Sequence, residues 1–298
     1  MSDPHLAIDP VLRPLEPRIA RRIEMYLTDV VRACLARGSP LASLVLFGST
    51  ATGGYSAAVS DVDLLLVLRD GVSAEDKRNV RDAVSALEAR HGLAKSRSHR
   101  PGALVKFADR ISANVRSFFV CTRADLLSGD PGRILDIPPA QAWFVDRIAM
   151  PSIVASGITV WGEDVLALVQ LPPIRRFDVA KAFHGLFNQV LFSAVVYPML
   201  PGATKYAMDA LKRSVHSCYF CYHIRSAPLG EEVAFFKQRH GPSRALARLM
   251  TLRSEYRPSF GFVLGCLPTL ARLHLRTARD NTFPRDARAC VTSTREAC

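Results

Sequence analysis

The sequence predicts two domains of different class: an α/β domain (residues 1–170), then an all-helical domain (171–298). Three observations carry this reading. Short apolar runs alternate with helix-period stretches through the first half, as in strands interleaved with helices. Pro172-Pro173 then interrupts the chain, and the residues beyond it read as helix. A length of 298 residues with 49% hydrophobic content is enough for two ordinary cores.

The elements come in order. Residues 17 to 37 form a helix, because Ile19, Ile23, Met25, Tyr26, Val30, Val31 and Leu35 return at three- and four-residue spacing. Gly38-Ser39-Pro40 stops it. Ser43 to Phe47 is a strand, Gly48-Ser49 opens a short helix, and Asp63 to Leu68 is a second strand. Arg69-Asp70-Gly71 turns the chain, and Ser73 caps a helix that runs to about His91. Beyond the basic loop Lys95 to Arg100, Ala103 to Phe107 is β-like, and Val115 to Thr122 is a third candidate strand. Arg123 opens a helix, Pro138-Pro139 marks an internal loop, and Ile158 to Gly162 is a last short strand ending in a turn. The polar, charged tail from about Thr277 is expected to be poorly ordered.

The formal charge of +12, from 39 basic and 27 acidic residues, favours an anionic partner. Nucleotide phosphate, RNA or simple solubility would each account for it. Seven scattered cysteines, an odd number, argue against a secreted disulfide framework. The N-terminus lacks the basic-then-apolar pattern of a signal peptide. The most apolar stretch, Ala182 to Leu200, contains His184, Asn188, Gln189 and Pro198, so it is shorter and wetter than a usual membrane span. The expectation is a soluble cytoplasmic protein with no membrane partner. No feature sets its oligomeric state.

One segment carries chemistry: LASLVLFGSTATGGYSAAVSDVDLLLVL. A strand runs into Gly48-Ser49, and twelve residues after Ser49 come Asp61-Val62-Asp63 and a second strand. Residues i and i+2 of a strand share a face, so Asp61 and Asp63 project side by side. Two like charges so close are costly unless a cation lies between them. Oxygen ligands of this kind suit a divalent metal carrying nucleotide phosphates. A glycine at the strand-to-helix turn lets backbone pass close to a phosphate. The Ser49 hydroxyl and the amides beside it can bind phosphate oxygens.

At this point the chain resembles the DNA polymerase β-like nucleotidyltransferase superfamily. That signature is Gly-Ser, about ten residues, then Asp-x-Asp between apolar strands. Ser60 before the first Asp and Leu64-Leu65-Leu66-Val67 after the second are similar to small stand-alone members, including aminoglycoside nucleotidyltransferases. Gly157 to Asp164 resembles the end of the catalytic domain. The likeness spans roughly residues 20 to 165 and is specific around 43 to 68. It implies a nucleotidyltransferase domain with a small mixed sheet flanked by helices. It also implies transfer of a nucleoside monophosphate from an NTP such as ATP to an acceptor hydroxyl, with release of pyrophosphate. Asp61 and Asp63 would hold Mg2+ (or Mn2+), and Gly48, Ser49 and Ser60 would bind nucleotide.

The family pattern includes a third carboxylate on a later strand. The stretch Asn114 to Val120 has no acid, and Asp109 is the nearest candidate. The departure motivates an alternative: a catalytically impaired, nucleotide-binding regulatory or antitoxin-like module of the same fold, RNA-associated by virtue of the charge. The acceptor stays open among small molecule, protein and RNA, because acceptor choice lives in cleft walls rather than in the motif.

In the helical half, Lys205, Asp209, Lys212, His216, Tyr219 and His223 fall in one stripe of a helix, opposite Ala207, Met208, Leu211, Val215, Cys218 and Tyr222. Related enzymes close a helical domain over the triphosphate, so the resemblance makes Lys205 and Lys212 candidate phosphate contacts, beside the plainer reading of a solvated face with Asp209 as ion-pair partner. His216, Cys218, Cys221 and His223 look like metal ligands on paper, but on a helix the cysteines point nearly opposite the histidines. They read as core cysteines. Glu231, Glu232 and Glu255 could supply a missing base, though surface charge is their default reading.

Overall fold

Strand β1 (Leu41–Phe47) is buried at all seven positions, so it must be covered on both faces. In the computed structural model, which describes residues 5–36, 41–55, 60–93, 117–137, 147–170 and 173–280, β1 is an inner strand of a four-stranded sheet. The others are β2 (Asp63–Leu68), β3 (Phe118–Thr122) and β4 (Ile158–Gly162), in the order β3-β2-β1-β4. β1 runs antiparallel to β2 and β4, whereas β2 and β3 are parallel. The sheet is therefore small and mixed, as the sequence implies.

Parallel neighbours need a crossover, and helix α4 (Ala74–Arg90) lies between β2 and β3 in the chain. Ser73 caps it: its hydroxyl accepts from the Asp76 amide, and Asp76 accepts in return from the Ser73 amide. Helix α1 (Asp9–Leu12) is one turn, and α2 (Pro17–Ala36) presents Ile23, Tyr26, Leu27, Val30, Val31 and Cys34 to the core. Met25 and Leu35, which the periodicity counts with that face, are 52% and 38% exposed and fall outside it. One core forms from these helices together with Leu44, Leu46, Val62, Leu64, Leu66, Phe118 and Val120.

α3 (Gly48–Ala51) is the short helix after β1, while α5 (Arg123–Leu127) and α6 (Pro131–Leu135) come after β3. Asp125 joins them. Its carboxylate accepts from Lys77 Nζ at 2.8 Å and from the Thr122 amide, and it pairs with Arg133 at 3.1 Å. Burial works against that charge, but the Lys77 ammonium and the Thr122 donors outweigh it, holding the carboxyl at about 2. Gly162 closes β4 with φ +84°, and a β-carbon there would lie 2.1 Å from the Ala42 carbonyl oxygen. Only glycine fits the Trp161-Gly162-Glu163 turn.

β3 is described from Phe118, and Val115 and Arg116, where the apolar run suggests it begins, lie outside the described residues. The β-like stretch Ala103 to Phe107, the basic loop Lys95 to Arg100, Pro138-Pro139 and Asp109 lie outside the described residues.

The chain divides into two compact units. The first comprises residues 1–142 and 156–170, and the second 143–155 and 171–298. The second is helical throughout its described part: α7 (Ala149–Ser156), α8 (Arg176–Val196), α9 (Thr204–His223), α10 (Leu229–His240), α11 (Arg244–Ser254) and α12 (Phe260–Arg279). α8 has the length and apolar composition to cross a membrane. Here Val179, Ala182, Leu186, Val190 and Val196 of α8 are buried in the helical unit. α12 continues through Thr277 to Arg279, past the point where the sequence suggests disorder. Thr277 itself is fully buried, which extends the packed helix that far.

Candidate active site

The Gly-Ser and Asp-x-Asp elements meet because β1 and β2 are antiparallel neighbours. Their register pairs Phe47, the last residue of β1, with Asp63, the first of β2. Gly48 comes next with φ +67°, in the left-handed region that L side chains rarely adopt. A β-carbon at Gly48 would stand 2.2 Å from Oδ2 of Asp63 and 3.1 Å from its Cγ. The glycine thus meets two needs at once, a left-handed turn and room for the Asp63 carboxylate. The sequence alone supplies only a backbone reason for it.

The rest of the turn is held by its own backbone. The amide and hydroxyl of Thr52 both donate to the Gly48 carbonyl at 3.1 Å, and the Gly54 amide donates to the Ser49 carbonyl at 2.8 Å. Ser49 is half-buried. Thr50 is fully buried, and its hydroxyl has no hydrogen-bond partner among the described residues. Nothing in the run Gly-Ser-Thr distinguishes Thr50 in the sequence.

Asp61 and Asp63 are half-buried, while Val62 between them is 1% exposed and belongs to the core. Asp61 and Val62 precede β2, which begins at Asp63. Ser60, just before them, is also half-buried. On the other flank, the Leu64 amide donates to the Ser117 carbonyl at 2.8 Å, so Ser117 lies beside the start of β2. The Ser117 hydroxyl donates to Glu88 of α4. The carboxylate that Ser117 engages thus comes from a helix. Spacing on α4 gives no hint of that. Burial, and then the Glu88 charge, push the Tyr26 phenol above its usual range. Among the described residues, no group of three or more His, Cys, Asp and Glu side chains is arranged to hold a metal.

Lys205 and Lys212 belong to α9 in the second unit. Lys205 is exposed, with its ammonium 4.9 Å from the centre of the Tyr256 ring. Lys212 lies 3.7 Å from Asp209, which pairs more closely with Arg213 at 2.9 Å. The expected stripe holds only in part, since Tyr219 is 2% exposed and sits in the core. Cys218 and Cys221 are buried and form no disulfide with a described residue, in keeping with a core role.

Glu232 corrects its surface-charge reading. It is fully buried, with Oε2 2.5 Å from His216 Nδ1 and Oε1 accepting from the Ala227 amide at 3.3 Å. Its spacing from the buried Leu229 and Phe236 is the signal for this in the sequence. Glu231 accepts from Tyr219 at 2.9 Å and from Arg225 at 3.1 Å, and Glu255 is exposed.

A small mixed sheet, a Gly-Ser turn packed on the first strand's neighbour, and two carboxylates at that strand's start define a class of nucleotide-handling enzyme. Residues 27–99 match the family described as "Nucleotidyltransferase domain", a stretch that runs from α2 through both carboxylates and α4. The chain carries a domain of that class, in agreement with its resemblance to the DNA polymerase β-like enzymes. Among solved structures, it is similar to spectinomycin adenyltransferase AAD(9) from Enterococcus faecialis with ATP and spectinomycin. The identity is 10% and the TM-score 0.52, covering 86% of this chain and 99% of that one. At that identity the likeness speaks for the fold. No curated protein matches the sequence.

Proposed function

We propose that the protein transfers a nucleoside monophosphate from an NTP to a hydroxyl of a small-molecule acceptor, releasing pyrophosphate. The observation that carries this reading is the seating of Asp63 against Gly48, with Asp61 two residues before it in the chain. A turn that excludes even one methyl group in favour of a carboxylate holds that carboxylate in place. Two oxygen donors so placed fit a divalent cation such as Mg2+, which when bound would neutralise triphosphate charge and polarise the phosphorus under attack.

The remaining roles belong to this chain's own groups. The Ser49 hydroxyl and the amides of the turn after β1 grip phosphate oxygens, and Ser60 flanks them. Lys205 and Lys212 are proposed as further phosphate contacts. The small-molecule acceptor is favoured over protein or RNA because AAD(9), the solved structure of like fold, holds spectinomycin. The protein is proposed to work in the cytoplasm, where its NTP would be available.

The test is incubation with each of the four NTPs, magnesium and a panel of hydroxyl-bearing antibiotics, read by mass spectrometry. A product heavier than its acceptor by one nucleoside monophosphate supports the reading. NTP binding with no transfer to any acceptor, RNA and protein included, would favour the regulatory module instead.

A further inference from the structure

Helix α8 turns a face without charge toward water. Its exposed positions after Arg176 are Phe177, Ala180, His184, Asn188, Leu191 and Val195, and none of them is Asp, Glu, Lys or Arg. The helical path runs on past Val196, because the Leu200 amide donates to the Val196 carbonyl at 2.9 Å, and exposed Met199 extends the row. At 100° per residue these positions fall in one stripe about 100° wide and about 33 Å long. Its large side chains stand well out: Phe177 is 61% exposed, Leu191 45%, Val195 67% and Met199 72%. The outward row of α2, by contrast, carries Arg18, Arg21, Glu24 and Arg32. The opposite face of α8, with Val179, Ala182, Leu186 and Val190, already fills the cores of the helical unit. Single apolar residues on a surface are ordinary, but an uncharged row that includes four large apolar side chains marks an association surface.

Charge and symmetry select what covers it. The chain carries +12, so two copies repel unless they meet through uncharged surface. The stripe is also close to palindromic about Asn188. Phe177 lies eleven residues before it and Met199 eleven after, while His184 and Ala180 lie four and eight before, and Leu191 and Val195 three and seven after. Asn188 bonds to the His184 ring at 3.2 Å, so a polar pair occupies the middle of the stripe and apolar residues both ends. A two-fold contact needs such a self-complementary surface. With two copies of α8 antiparallel about an axis at Asn188, Phe177 of each meets Met199 of the other. Leu191 and Val195 then fall one residue away from the reflected His184 and Ala180, so the rows interdigitate. This direction also keeps the basic helix starts apart: Arg176 and its copy are about 36 Å distant, against a screening length of about 8 Å. A parallel pair would set them side by side.

We propose that α8 pairs antiparallel with α8 of a second copy, making a two-fold dimer. The four large side chains leave on the order of 400 Å2 in water, which places this dimer in the small, transient class of interface, below about 1,200 Å2 in total. It does not depend on the proposed transferase reaction.

The test is sedimentation velocity of the full chain from low to high micromolar concentration, where monomer should give way to dimer. Val195→Lys sets its charge against Lys181 of the second copy and should weaken association at least tenfold with the melting temperature unchanged. Leu275→Lys, at a position of α12 that is 52% exposed and outside the stripe, should associate as the parent does. Asn188→Cys, on the axis, should cross-link on oxidation above the parent's background, and Phe177→Cys should not. A monomer at every concentration, parent association in Val195→Lys, equal loss in Leu275→Lys, or cross-linking through Phe177→Cys in place of Asn188→Cys would each overturn the proposal. Flotation with phosphatidylcholine vesicles that Val195→Lys abolishes would assign the face to a membrane and overturn it as well.

Discussion

Replacing Gly48 by alanine tests the geometry on which the active-site account rests, because it sets two separable penalties on one residue. The first is conformational: at φ +67° an L side chain costs about 1–2 kcal/mol. The second is steric. The new β-carbon would lie 2.2 Å from Oδ2 of Asp63, so the Asp63 side chain must rotate away, at about 0.5–1.5 kcal/mol if it leaves its rotamer well. The sum is about 1.5–3.5 kcal/mol, or roughly 3–14 °C in the melting of a domain of this size. Gly53 supplies the control. It has φ +76°, but a β-carbon there would meet nothing within 4 Å, so Gly53→Ala carries the first penalty alone. Urea unfolding and pyrophosphate release should be measured side by side for both variants. Gly53→Ala is expected to lose about 1–2 kcal/mol and keep its turnover, whereas Gly48→Ala should lose more stability and at least tenfold in turnover. Parent-like turnover in Gly48→Ala would refute the claim that the turn seats the carboxylate.

Further expectations concern the two units separately. Asp125 ionises at about 2, below the ordinary carboxylate near 4, so its contribution to stability is full above pH 4 and disappears as pH falls toward 2. Asp125→Asn should remove that acid-sensitive part of the stability profile and cost about 1–3 kcal/mol at neutral pH in urea unfolding. His274 is 3% exposed with Nδ1 3.1 Å from the Val179 carbonyl, and burial holds it down at about 4. The unfolded chain takes up that proton near pH 6.5, so stability should fall from there down to pH 4, by at most about 1.4 kcal/mol per pH unit. His274→Phe should flatten this limb. Removing His216 strands the buried Glu232 carboxylate, so His216→Ala should cost about 2–3 kcal/mol. His216→Ala/Glu232→Gln should recover part of the loss, and equal stability of the single and double variants would contradict the pairing.

The local chemistry of this protein is readable in its residues, and the gaps have a common cause. Asp63–Leu68, the Ser73 cap and the Arg123 helix obey short-range rules, namely a continuous apolar run, a capping box and a hydroxyl before a first turn. The neighbourhood of the two carboxylates is legible because Gly48 directly follows β1 and Asp63 opens β2, its antiparallel neighbour. What sequence cannot supply is contact between residues far apart in the chain. Glu88 reaches Ser117 only because β3 returns parallel to β2, and Lys77 reaches Asp125 for the same reason. Met25 and Leu35 show the converse error, since their near-helical spacing points to a face that the packed helix does not bury. Glu232 is hidden by its charge, although its spacing from Leu229 and Phe236 places it on the buried side of α10.

Pyrophosphate release by the parent chain and by Asp61→Asn/Asp63→Asn, with NTP, magnesium and an acceptor panel, tests the central claim most directly. The account predicts release that requires both carboxylates and magnesium, and that is lost in the variant while its melting temperature holds. Equal release by the folded double variant would contradict it.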